Sequence, residues 1–117
     1  MKISEIYTQK KSDQGTVVAI PFTEDQTLTI YGVDGDVYKD GMRHRNVENA
    51  RILTLPEKEW EKAHTKADLV LVAKMIREWS FEEKCTEQNK IKLLQNSPGV
   101  FELVNTSVFK RGLFMGE

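Results

Sequence analysis

The chain has 117 residues, 39% of them hydrophobic and 30% charged, with 17 Lys and Arg against 18 Asp and Glu and a single Cys. That length suits one domain with one modest core, and a net charge of −1 argues against a dedicated nucleic-acid binder, which neutralises phosphates with a surplus of basic residues. One Cys excludes an internal disulfide framework, and with no run of 18 apolar residues and no apolar stretch in the opening MKISEIYTQKKSDQG, neither a membrane helix nor a signal peptide is expected.

The first third reads as β-rich. Thr16-Val17-Val18-Ala19-Ile20 is a β-branched run closed by Pro21 and a polar stretch, and Thr27-Leu28-Thr29-Ile30-Tyr31 alternates polar and apolar with period two. Two such runs a few residues apart predict an antiparallel pair, whose apolar face must rest on the remainder of the chain or on another copy of it. Gly32-Val33-Asp34-Gly35-Asp36 has turn chemistry. Val37 to Asn49 has no clear period and reads as a loose helix, or as a loop with a short strand near Arg51-Ile52-Leu53.

From Pro56 the pattern is helical. Pro is tolerated in a first helical turn, and Glu57, Glu59 and Glu61 sit at the positive end of the dipole. Apolar residues at Trp60, Ala63, Ala67, Val70, Leu71, Met75 and Trp79 then predict one helix to about Trp79. After a break at Ser80-Phe81, Thr86 is a natural N-cap for a second helix carrying Ile91, Leu93 and Leu94. Ser97-Pro98 opens a third, with Val100, Phe101, Val104, Val108 and Phe109 on helical spacing and Gly112 at its end. The expected fold is therefore α+β. A short N-terminal antiparallel β-hairpin precedes a mainly helical C-terminal part of three helices or more, within a single domain, 1–117, β-rich to about 53 and helical over about 56–114.

Few groupings suggest chemistry. Asp34-Gly-Asp36-Val-Tyr38-Lys-Asp40 resembles the opening of a calcium loop, but Lys39 stands where the sharp turn wants Gly and Arg45 where a bidentate Glu would close the sphere. His44 and His64 lack ligand-spaced partners for zinc. Cys85 beside distant His64 has no Gly-rich oxyanion turn and reads as a small buried residue rather than a nucleophile. No catalytic, metal or cofactor site is expected.

The most specific pattern lies in the C-terminal third. The run Trp79-Ser-Phe-Glu-Glu-Lys-Cys85-Thr86-Glu-Gln-Asn89, followed by Leu93-Leu94, Pro98, Val100, Phe101, Val104, Val108, Arg111 and Phe114, resembles the tail assembly chaperones of long-tailed bacteriophages. In that family a Trp ends a long helix, a Cys-Thr-x-x-Asn step opens the next, a Leu-Leu-x-x-x-Pro step follows, and a late Arg-x-x-Phe closes the domain. The Gly-x-Asp step at Gly32-Val33-Asp34, after a short β-rich opening, is similar as well.

The resemblance implies a non-enzymatic helper that acts in the host bacterial cytoplasm and is absent from the mature virion. Such a protein coats the helical tape measure protein, keeps it soluble and gives way to the major tail protein as the tube polymerises. A longer form made by ribosomal frameshifting would recruit that tail protein. Self-association into a homo-oligomer is expected, with no nucleic-acid or membrane partner and no cofactor. Leu94, Phe101, Phe109, Arg111 and Phe114 are the expected protein contacts, and Trp79, Cys85, Thr86, Asn89, Leu93 and Pro98 the structural motif. The alternative is a structural component kept in the particle, a connector or minor tail subunit.

Overall fold

Helical turns precede the first strand in the computed structural model, which describes residues 1–116. A 3-10 turn at Ile3–Ile6 and a short helix α1 (Gln9–Gln14) lead through Gly15 into β1 (Thr16–Ala19) and β2 (Thr27–Ile30). Gly15 has a φ of 93°, the left-handed region that glycine adopts without steric cost. The two strands pair antiparallel as expected, and the structure sets their register, from Thr16 opposite Ile30 to Ala19 opposite Thr27.

Residues 36–52 are helical. Of the two expectations for this segment, the helix is the one that forms, as α2 (Asp36–Ile52), and no strand forms near Arg51. Its start is capped from outside, because the Asp13 carboxylate on α1 accepts the Asp36 backbone N–H. The helix then packs along α3 (Trp60–Lys74), which follows a 3-10 turn at Glu57–Glu59. The seam between them carries Gly41, close against Leu71, and the polar residues Arg45 and Asn49, ending at the fully buried Ile52. A seam made of Gly, Arg and Asn has no apolar periodicity, so the helix is stabilised by tertiary contacts that sequence pattern does not register.

The expected long helix to Trp79 is shorter than predicted. It ends at Lys74, and Ile76–Trp79 is a strand, β3, paired antiparallel with β2 so that Leu28 faces Trp79 and Ile30 faces Ile76. A bulge accommodates Arg77 in the ladder. The run from Val70 to Ile76 is apolar but for Lys74, and periodicity alone does not separate a buried helix from a buried strand. The second edge of β2 decides it. Its Thr27 and Thr29 backbone groups need partners, and the Tyr31 N–H donates to the Met75 carbonyl at 2.8 Å as the chain turns in. The hairpin thereby becomes a three-stranded sheet of order β1-β2-β3.

Two further helices close the fold, α4 (Glu87–Asn96) and α5 (Pro98–Ser107), with Pro98 in the first position of α5 and a final 3-10 turn at Arg111–Phe114. Gly112 lies in that turn; α5 itself stops at Ser107. Leu28, Ile30 and Ile76 from the sheet, Val72 and Ala73 from α3, Leu94 from α4, Val100 and Val104 from α5, and Phe114 form one buried cluster. The molecule is elongated, 53 × 34 × 20 Å with a radius of gyration of 15.4 Å, against roughly 13 Å for a compact chain of this length. Most of α2 lies outside the main core cluster, which takes only its first turn, at Val37 and Tyr38. No helix among the described residues is long and apolar enough to cross a membrane.

Candidate functional site

A groove of about 410 Å³ opens between the end of β3 and the outer face of α4. Trp79 and Phe81 form one wall, and Asn89, Leu93 and Asn96 line the other, with Lys92 at the rim. The aromatic wall is braced by two contacts. The Trp79 and Phe81 rings meet edge to face, centroids 5.5 Å apart at 79°, a favoured aromatic geometry, and the Trp79 indole N–H donates to the Glu83 carbonyl at 2.7 Å.

The opposite wall is tied to the same loop. Thr86 caps α4, its hydroxyl accepting the Asn89 backbone N–H at 3.2 Å, while the Asn89 side-chain amide donates to the Lys84 carbonyl at 2.8 Å. The Cys85 thiol, partly buried, lies 3.9 Å from the Arg77 carbonyl as a weak donor. Trp79 and Asn89 thus each hold a carbonyl of the strand-to-helix connection, while Cys85 and Thr86 tie that connection to β3 and to α4. Burial pushes the Cys85 thiol up from its ordinary value, which lowers the thiolate fraction that nucleophilic chemistry would require.

The Gly32-x-Asp34 and Arg111-x-x-Phe114 residues meet one another away from the residues that line the groove. Asp34 accepts from Arg111 Nε at 2.8 Å and Nη2 at 3.1 Å, and from the Thr8 hydroxyl at 2.6 Å. These hydrogen bonds, Arg111 first, hold the Asp34 carboxyl below its ordinary value. Two residues earlier, a Cβ on Gly32 would stand 2.4 Å from Ser12 Oγ and 2.9 Å from the Phe114 ring. Only glycine lets α1 and the final turn approach so closely. The Gly32-x-Asp34 and Arg111-x-x-Phe114 steps therefore form one double contact across 77 residues of sequence.

Several expected protein contacts are corrected by this packing. Phe114 is 1% exposed and Leu94 is 2% exposed, both within the main core; each is a fold residue, since a side chain removed from solvent has no surface to offer a partner. Arg111 is exposed, but its guanidinium is engaged with Asp34 in the same chain. Phe101 is half-buried against the core. Phe109 alone among the five is an exposed apolar side chain, 50% accessible, with its ring edge to face against Tyr38 at 5.6 Å. Phe81, which walls the groove, was missed by residue-level reading because it stood at a predicted helix break. Its place one residue beyond Ser80, after an apolar Trp, was the available signal.

His44 and His64 lie on different helices, and the His64 Nδ1 is 3.1 Å from Arg45 Nη2. Among the described residues, no three His, Cys, Asp or Glu side chains gather where a metal ion could be held. Of the start of the calcium-like run, Asp34 is engaged with Arg111 and Asp36 is the first residue of α2. The chain matches no protein-family model, no curated protein and no solved structure.

Proposed function

We propose that the protein is a phage tail assembly chaperone that binds helical segments of the tape measure protein, keeps them soluble and promotes polymerisation of the tail tube around them. The observation that carries this reading is the convergence of the quoted motif residues. Trp79, Asn89 and Leu93 line one groove, and Cys85 and Thr86 fix the connection that shapes it. A groove with aromatic, aliphatic and amide side chains in its walls and charged side chains beside them suits the apolar face of an amphipathic helix, read at positions i, i+3, i+4 and i+7. Such contacts are sequence-tolerant, as binding to many similar helical segments requires. The reading is non-enzymatic, places the protein in the host bacterial cytoplasm and removes it before the virion is complete. A frameshifted longer form would connect it to the major tail protein.

Co-expression with a helical tape measure fragment tests this. The wild-type chain raises the soluble fraction of the fragment, and Phe81→Ala and Leu93→Ala each weaken the complex about tenfold, equivalent to roughly 1.4 kcal/mol, while retaining a cooperative melt. Unchanged binding in both variants would remove the groove from the reading. Mass spectrometry of purified particles separates the chaperone from a connector or minor tail subunit, because stoichiometric presence in the virion is expected only of the latter.

A further inference from the structure

One edge of the sheet is open. Strand β1 is the outer strand, with Val17 opposite Thr29 and Ala19 opposite Thr27. Just beyond it, the Ile20 N–H donates to the Gln26 carbonyl at 3.0 Å. Hydrogen-bonded and non-hydrogen-bonded pairs alternate along an antiparallel ladder. Thr16, Val18 and Ile20 therefore turn their backbone groups inward to β2, and Val17 and Ala19 turn theirs outward. Among the described residues, none of these four outward groups has a protein partner outside the strand.

The far edge is treated differently. There β3 carries the charged Arg77 and Glu78, a bulge at Arg77, and a Cys85 thiol against the Arg77 carbonyl. Charge, proline and bulges are the usual guards of an exposed edge; β1, Thr-Val-Val-Ala, has none of them. Apolar surface accompanies it, since Val17 and Phe22 are each 63% exposed.

We propose that β1 pairs antiparallel with β1 of a second copy about a two-fold axis through Val18, joining two three-stranded sheets into one of six strands. In that register Val17 faces Ala19 of the partner subunit, and each exchanges both N–H to carbonyl bonds with the other. The arrangement satisfies all four outward groups in each copy. A slip by one residue would offer inward-directed groups to the partner and leave the outward ones unmatched. No charged side chain lies on β1, and the chain carries a net charge of only −1, so pairing brings no like charges together. A second copy is the occupant because the edge is complementary to itself: an isologous contact needs one patch matched to its own two-fold image. The proposal locates the self-association expected of a chaperone but rests on the edge alone.

Sedimentation equilibrium over a range of concentrations tests it. The wild-type chain shows a reversible doubling of mass. Val17→Pro removes an outward donor without touching the β1–β2 ladder, so it gives a folded monomer whose cooperative melt no longer depends on protein concentration. A wild-type monomer at every concentration, or a dimer that survives Val17→Pro, overturns the proposal. Should Val17→Pro fail to fold, cysteine pairing decides. In a Cys85→Ser background, Val18→Cys forms an intermolecular disulfide under mild oxidation and Val17→Cys does not, because only position 18 faces itself across the axis. The reverse result, or no disulfide at position 18, overturns it. An intact dimer that ignores the tape measure fragment would instead count against the proposed function alone.

Discussion

Asp34 shows how one side chain gathers distant parts of the chain. It receives Thr8 from before α1 and both forks of Arg111 from the final turn, and it sits between Gly32, which admits the Phe114 ring, and the start of α2. Its folded-state carboxyl titrates below the ordinary value of 3.8, so the folded protein holds its proton less tightly than the unfolded chain. The contact therefore contributes fully above pH 3.8 and is lost as pH falls through the lower folded value. Asp34→Asn is expected to flatten that acid limb. Urea titrations across a pH series would show the stability gap between wild type and variant at neutral pH, closing well below pH 3.8; a gap that is independent of pH would remove the ionised pair from the account.

Among the elements, α4 depends most visibly on its cap. Its first turn follows a connection held by Trp79, Cys85 and Asn89, and Thr86 supplies the side-chain acceptor that the helix start requires. Thr86→Ala is expected to cost about 1 kcal/mol, the usual value of an N-cap hydroxyl. The loss should be local, so hydrogen exchange would quicken at Asn89 and in the loop 80–86 and leave β2 unchanged. Equal acceleration throughout the sheet would mean that the cap supports the whole fold. Strand β3 illustrates the opposite case, an element whose own sequence is ambiguous and whose identity is set by the unpaired edge of β2 beside it.

At the scale of the whole molecule, the elongation comes with a polar joint. Arg45, its side chain 12% exposed, reaches Asp68 from Nε at 3.1 Å and from Nη2 at 3.0 Å, contacts the His64 ring at 3.1 Å, and donates to the Asn49 side-chain amide oxygen Oδ1. A guanidinium suits this position because its fixed fork serves several acceptors at once. Arg45→Ala leaves those acceptors without their donor and is expected to cost about 1–3 kcal/mol. Because the joint lies away from the main core, amide exchange should rise in the middle of α2 and α3 while the sheet stays protected. A uniform loss of protection would show that α2 and the sheet unfold together.

The sequence by itself determined the antiparallel hairpin, the capped start of α4, the proline start of α5 and the α+β class, because each depends on neighbours in the chain: alternation, a hydroxyl at a helix start, a ring that fixes φ. It also carried every residue of the aromatic groove without indicating that they form one. Tertiary structure alone decided the end of α3, the existence of α2 and the fate of Phe114 and Leu94. The reasons are physical. An apolar run does not choose between helix and strand until an unpaired strand edge is present, a polar helix has no visible period until its Arg finds an Asp on another helix, and an apolar side chain does not distinguish a partner from its own core until the chain closes over it.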